Sequence, residues 1–357
     1  MRGSRSLPIF VVSVLLAVSS LAATGCTSSA ARARGSAEVL RLGVLPMLSS
    51  APAYVGIDSG IFEADLAPTR VELHVFDSGY EAGVALFSGS IDATYMEPWP
   101  AASVYLKSGH IAVVSGASVG GASLVVRRGA GVHARQDLRG KRIAVPNVGN
   151  SQDIALRTWL HRNGMQATDE GGDVSITELD CPELLQLFQT GRLDGAWVPE
   201  PYVSWLLDEG VADELVDEAS LWAPGRFLTA NLVVSKPYMR AHPDVVDNLV
   251  RANVHAIRFL AEHPTRSQRI AERQLHKSAG VPPMSAEVID AAWRKLTFTW
   301  DPVPESMIRV AENAHALGVL FARPERVRGV YRLDALDAVL KDEGLPPLEL
   351  RWTMEST

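Results

Sequence analysis

The chain repeats itself once, and that repeat limits the folds open to it. Arg41-Leu42-Gly43-Val44 returns as Arg142-Ile143-Ala144-Val145, each an apolar strand candidate with a proline shortly after, Pro46 or Pro146. Small polar pairs follow, Ser49-Ser50 and Asn150-Ser151, and open helix-like segments at 51–60 and 152–164. Leu86-Phe87-Ser88-Gly89-Ser90-Ile91-Asp92-Ala93 is echoed by Leu187-Phe188-Gln189-Thr190-Gly191-Arg192-Leu193-Asp194-Gly195. An aromatic comes next in each copy (Tyr95, Trp197), then a Glu-Pro pair (Glu97-Pro98, Glu200-Pro201). The separation drifts only from 101 to 103 positions along the match, too regular for coincidence. Each copy reads strand, polar turn, helix, strand, helix, Gly-x-[Ile/Leu]-Asp turn, strand. That order predicts a parallel sheet covered by helices, and two copies predict two α/β lobes.

Further strand candidates lie at 111–114 and 124–126, separated by a Gly120-Gly121 turn, and at 231–235. The expected first lobe is 38–125 plus 230–320, the second 126–229, and the tail 321–357. After Pro243, Asp244 is a candidate helix cap, and Val246, Leu249, Val250, Ile257 and Leu260 recur at helical spacing. Segments 287–296 and 305–320 read the same way. These helices are expected to support the first lobe and are assigned no chemistry. The tail reads as a short helix around 333–340 and a polar end.

Arg2 and Arg5 precede an uncharged apolar run at 7–23, and small residues follow. That is the pattern of an export signal, and the 17-residue run is short for a membrane span of about 20 residues. Ala23-Thr24-Gly25-Cys26 resembles a bacterial lipobox, which makes Cys26 the candidate lipidation site, 1–25 the signal and 26–37 a flexible tether. With Cys26 and Cys181 alone, a disulfide scaffold is excluded. The 34 basic and 41 acidic residues leave no excess to neutralise phosphates, so no nucleic-acid partner is expected.

Two facing lobes would aim two helix N-termini into one cleft, where unpaired N–H groups and partial positive charge suit an anion. Ser49, Ser50, Asn150, Ser151 and Gln152 add neutral donors there, or else serve as ordinary caps. Proline after Glu97 and Glu200 biases each toward extended geometry at a strand end, leaving its carboxylate either at a ligand's amine or amide, or on a solvated rim. Trp99, Trp197, Tyr95 and Tyr202 are candidates for the pocket wall or for the core. The nine histidines form no metal-ligand spacing, and neither a nucleophile elbow nor a P-loop occurs. No cofactor, metal or catalytic set is therefore expected. Cys181 reads as a buried, inert thiol.

Gly149-Asn150-Ser151-Gln152-Asp153-Ile154-Ala155-Leu156-Arg157 and Asp194-Gly195-Ala196-Trp197-Val198-Pro199-Glu200-Pro201-Tyr202 resemble segments of the substrate-binding proteins of nitrate, sulfonate and taurine ABC importers. So do Ser50-Ala51-Pro52-Ala53 and Gly225-Arg226-Phe227-Leu228-Thr229. The resemblance implies a two-lobed type II periplasmic-binding fold with a helical C-terminal extension, closing on its ligand about a two-strand hinge. It implies a small-molecule ligand, a membrane permease with a cytoplasmic ATPase, and an exported, lipid-anchored monomer. Carried over by position, the ligand contacts are Ser49, Ser50, Asn150, Ser151, Gln152 and the segment from Trp197 to Glu200. Ser78-Gly79 and Gly120-Gly121 fall in further turns that line the cleft in this family. Where many relatives carry Gly-Pro, this chain has Met96-Glu97-Pro98-Trp99. A carboxylate there opposes a bare anion and suits an anionic ligand with an amine tail, such as taurine. The alternatives are a thiamine-type pyrimidine or other heteroaromatic precursor, nitrate or bicarbonate, and an enzyme on the same fold.

Overall fold

A computed structural model describes residues 37–222 and 225–348. The signal at 1–25, Cys26, the tether before Ala37 and the end of the tail lie outside the described residues. No helix among the described residues is long and apolar enough to cross a membrane.

Among the described residues, eleven strands form two sheets: β1 (Val39–Val44), β2 (Arg70–Val75), β3 (Ala93–Met96), β4 (Ile111–Gly120), β5 (Ala122–Arg127), β6 (Arg142–Val145), β7 (Ser175–Glu178), β8 (Gly195–Pro199), β9 (Ala212–Asp217), β10 (Leu228–Ser235) and β11 (Leu296–Phe298). The first sheet has the order β11-β4-β10-β3-β1-β2 and the second β7-β6-β8-β5-β9. The expected two α/β lobes are thus present. Strands β3, β4, β8 and β10 are buried at every position, as strands between two helical layers should be.

The repeat survives in the pairing. β1 lies parallel to β2 and β3, with Leu42 beside Ala93, and β6 lies parallel to β7 and β8, with Ile143 beside Gly195. An antiparallel strand then flanks the third member of each set, β10 beside β3 and β5 beside β8. The turn aspartates have a shared job. Asp92 accepts from the Arg41 N–H at 2.9 Å and from its guanidinium at 2.7 Å. Asp194 accepts from the Arg142 N–H at 3.0 Å and its Nε at 3.3 Å.

Gly120-Gly121 makes no hairpin. It is the step at which the chain leaves the first sheet and enters the second, earlier than the 125/126 boundary read from the sequence. Both residues take positive φ, 81° and 73°. A Cβ on Gly120 would stand 2.5 Å from the Lys295 carbonyl oxygen, so only glycine fits this crossing. The chain returns at β10, where Thr229 Oγ1 donates to the Gly120 carbonyl and ties the two crossings together.

The C-terminal third departs from expectation in two ways. Asp244 is not the cap of the helix Pro243–Glu262; His242 holds that position and Asp244 lies in the first turn. The later helices do more than support the first lobe. Helix Ala286–Arg294 packs on Tyr202–Asp208, helix Pro304–Ala316 packs on Ser151–Arg162, and Asn313 accepts from Arg162 at 3.1 Å. The tail helix forms where it was expected, at Asp334–Asp342, and the tail packs into the core. Tyr331 bridges Val113, the Arg332 N–H donates to the Val113 carbonyl at 2.9 Å, and Leu336 and Leu340 of helix Asp334–Asp342 are buried.

Candidate functional site

Glu97 follows β3 directly and opens the helix Pro98–Ser108. Its side chain is 3% exposed, and Oε1 has no hydrogen-bond partner in the protein. Burial pushes the carboxyl up to about 7, an effect that Gln152 of the other lobe opposes from hydrogen-bonding reach. Gly79 leaves room beside it: a Cβ there would press on Pro100 at 2.9 Å and lie 3.6 Å from Glu97 Oε2. Trp99 is buried, and its indole Nε1 lies within reach of the Tyr80 hydroxyl without meeting hydrogen-bond geometry. Asn231 stands opposite Met96 in the β3–β10 pair, fully buried, with neither amide atom partnered. One end of β3 therefore collects a carboxyl, an indole N–H and an amide. Leaving such groups dry and unmatched costs about 1–3 kcal/mol each, so an arrangement of this kind calls for an outside partner.

Facing them is the helix Ser151–Arg162. Asn150 caps it, accepting from the Asp153 N–H at 3.0 Å, and Asn150 Nδ2 donates to Gln152 Oε1 at 2.8 Å. Ser151 Oγ accepts from the Trp99 N–H at 3.2 Å. The gap between lobes is walled by Pro98 and Thr229 on one side and by Ser151, Gln152, Glu218 and Trp222 on the other. Its internal volume of about 20 Å³ is on the scale of a single water. Direct bonds span the lobes around it: Tyr80 Oη donates to the Gly149 carbonyl at 2.9 Å, Tyr202 Oη to Pro46 at 3.3 Å, and the Leu48 N–H to Glu200 at 3.3 Å.

The remaining candidates separate. Ser50 Oγ accepts from the Leu45 N–H at 3.3 Å and does not cap the helix Ala51–Asp58, while the Ser49 carbonyl accepts from Ser118 Oγ at 3.2 Å. Ser78 caps the helix Gly79–Ser88 through the Glu81 N–H. Gly120 and Gly121 shape the crossing. Trp197 is not a wall of the gap: it lies in the second lobe's own core, edge-on to Trp159, because β8 is buried on both faces. Glu200 is buried too, and both its oxygens are taken by Ser204, one by the N–H and one by the hydroxyl, each at 3.0 Å. Burial pushes it up to about 7 against those bonds, and its carboxylate secures a helix start rather than a rim.

Sequence reasoning missed Glu218 and Asn231. Glu218 is buried beside the gap, and its Oε2 accepts from Trp197 Nε1 at 2.8 Å. Nothing local marks it, since it follows β9 in a short turn of ordinary acidic composition. Asn231 did carry a signal, as the lone amide among the apolar residues of β10. Cys181 is buried and free, its thiol pushed up by burial and by the nearby Glu97 charge.

Comparison with known proteins is consistent with the motifs. The taurine-binding periplasmic protein of Escherichia coli (strain K12) is 30% identical over 222 residues, 62% of this chain. The match spans 66% of that relative, just under two thirds of its length. Among solved structures, the alkanesulfonate-binding protein SsuA from Xanthomonas axonopodis pv. citri, bound to MOPS, superposes with a TM-score of 0.69 at 19% identity, covering 84% of this chain and 100% of that one. The periplasmic nitrate-binding protein NrtA from Synechocystis PCC 6803 gives 0.73 at 16% identity, covering 87% and 90%. At these identities the likeness establishes the periplasmic-binding-protein fold. A sequence profile of the NMT1-like family matches residues 34–275, well over half of the chain. The chain belongs to the NMT1-like family.

Proposed function

We propose that the protein is an extracytoplasmic solute receptor of an ABC importer, which captures a small organic sulfonate of the taurine type between its lobes and hands it to a permease. The observation that carries this reading is the group of buried polar atoms at Glu97, Trp99 and Asn231 that meet no hydrogen-bond geometry within the protein, set against the start of the Ser151–Arg162 helix. Asn150 takes the Asp153 N–H, so the N–H groups of Ser151 and Gln152 are the donors this turn offers to a sulfonate. The taurine-binding relative supports the ligand class. Capture needs no bond chemistry: a ligand that touches both lobes favours the closed arrangement by its differential affinity, and the permease reads the shape. A lipid anchor on Cys26, monomeric behaviour and a permease with its ATPase belong to the same proposal.

A second reading takes a thiamine-type pyrimidine as the ligand. It is favoured by the stacked Trp222 and Phe227 rings, 6.0 Å apart at the gap. A thermal-melt panel of taurine, short alkanesulfonates, nitrate, bicarbonate and pyrimidines tests both. A sulfonate that raises the midpoint supports the first reading, and a response to pyrimidines alone replaces it with the second. Turnover of any bound compound would instead mean an enzyme.

A further inference from the structure

We infer that the seam between the lobes carries a second binding site, for a tetrahedral oxyanion of the sulfate and phosphate class, held by Arg135 and Arg162 and completed by Asn313. An anion seated there touches both lobes, so it favours the closed arrangement and raises affinity for the ligand in the gap. The site itself goes beyond the proposed function, and only the coupling rests on that reading.

Toward the far end of the helix Ser151–Arg162 lies a pocket of about 230 Å³. Arg135, Trp159, Arg162 and Leu221 bound it from the second lobe, and Asn313 bounds it from the helix Pro304–Ala316. Asn313 also walls the gap, so the two spaces adjoin. Among the described residues no acid lines this pocket, whereas the gap holds Glu218 and the groove at Arg139 holds Asp173. Two guanidiniums meet there with their charge intact. Arg135 Nη1 donates to Asn163 Oδ1 at 2.9 Å, and Arg162 Nη2 donates to Asn313 Oδ1 at 3.1 Å. A carboxamide oxygen holds a guanidinium in place without neutralising it, and leaves further N–H donors over. Neighbouring arginines are built otherwise. Arg157, on the same helix as Arg162, holds Asp153 and Asp169 at 2.9 Å each, and Arg139 holds Asp173 at 3.4 Å. Asp137, close to Arg135 in the chain, accepts instead from the His133 and Ala134 N–H groups at 2.9 Å each. Glu312, beside Asn313, lines a different cavity with His315 and Arg323. Arg309, one turn before Asn313, adds positive charge to the same seam, 5.2 Å over the Trp222 ring. An oxyanion relieves the repulsion of two such cations, and its oxygens suit their planar forks. Asn313, its oxygen given to Arg162, keeps its amino group as the donor from the first lobe. The volume is several times the roughly 30 Å³ share of one water, which is room for a small oxyanion.

Calorimetric titration of the purified protein with sodium sulfate, and separately with sodium phosphate, in chloride buffer of matched ionic strength tests the site. The pocket is open to solvent, so saturable binding near one equivalent is expected, with a dissociation constant of about 1 mM. Arg135→Gln and Arg162→Gln should each weaken it about tenfold, the scale of one charge-assisted hydrogen bond. Arg192→Gln, at an exposed arginine of the same lobe outside the pocket, should change it less than about twofold. Arg162→Gln also removes the bond to Asn313, so Arg135→Gln, which leaves that bond, must reproduce the loss. No heat from either anion overturns the site. An equal loss in all three variants overturns it as an effect of net charge, and so does binding that neither pocket variant alters. For the coupling, saturating sulfate should tighten taurine about fivefold in the parent and leave it unchanged in Arg135→Gln. Taurine weakened by sulfate means that the two compete for the gap, which overturns the coupling. If sulfate binds as expected and taurine is silent, the site stands while the coupling and the taurine reading fall. If taurine binds and both anions are silent, the receptor stands and the second site falls.

Discussion

Ser151 Oγ accepts a hydrogen bond from the Trp99 main-chain N–H at 3.2 Å, so the first residue of the second lobe's leading helix is fastened to the first turn of a helix in the other lobe. This contact exists only while the lobes are together. A ligand that requires closure draws on it without touching the hydroxyl.

Replacing Ser151 with Ala should therefore weaken ligand binding about fivefold, the worth of one neutral hydrogen bond near 1 kcal/mol. The melting midpoint of the ligand-free protein should move little. Calorimetry on the variant checks both, and an unchanged affinity removes Ser151 from the closing contacts.

The duplicated Arg–Asp brackets make a prediction about stability. Asp92 and Asp194 each receive a main-chain N–H and a guanidinium from an arginine of the first strand in its repeat, Arg41 in β1 and Arg142 in β6. Burial raises the Asp194 carboxyl, but the bonds from Arg142 and Arg127 outweigh it and hold it below the usual range. Asp92→Asn and Asp194→Asn should each cost about 1–2 kcal/mol in denaturant unfolding at neutral pH. For Asp194, whose folded value lies below the unfolded one, the loss relative to Asn should disappear as pH falls through that value. A cost that persists unchanged at low pH would contradict the charged role.

The buried glutamates run the other way. Desolvation pushes the carboxyls of Glu97 and Glu218 up to about 7 from an ordinary 4.5. The folded state then holds protons that the unfolded state has released, so these groups are tolerated best below about pH 4.5 and weaken the fold as pH rises toward 7. Because Gln cannot ionise, the midpoint of Glu218→Gln relative to the parent should climb between pH 5 and pH 8. A flat difference across that range means Glu218 titrates like a surface carboxyl.

Gly120→Ala should destabilise the protein by roughly 2 kcal/mol, since it forces a side chain into positive φ and its Cβ against a carbonyl oxygen. The unfolding midpoint measures it. A neutral substitution would show that the crossing between sheets adapts more readily than its geometry suggests.

The sequence carried the lobes and the leading helix well, and the site less completely. The lobes were legible because the repeat keeps an arginine, an aspartate and a glycine turn in step, residues whose partners are fixed by backbone geometry. Asn150, Ser151 and Gln152 were legible because a helix start has a recognisable grammar. Trp197 could not be placed, since a strand buried on both faces gives no period to say which face a residue takes. The two Glu-Pro pairs look alike in sequence and differ in space. Ser204 happens to lie where it can occupy Glu200, and no equivalent group reaches Glu97 Oε1. Glu218 reaches the gap through tertiary packing on two indoles, which no short segment encodes.

Titrating the purified protein with taurine, and following heat and melting midpoint together, tests the receptor most directly. Saturable one-to-one binding is expected, with about 2.7 kcal/mol of added stability at a hundred times the dissociation constant and taurine recovered intact. No heat and no shift from taurine or any short alkanesulfonate, in a protein that melts cooperatively, would contradict it.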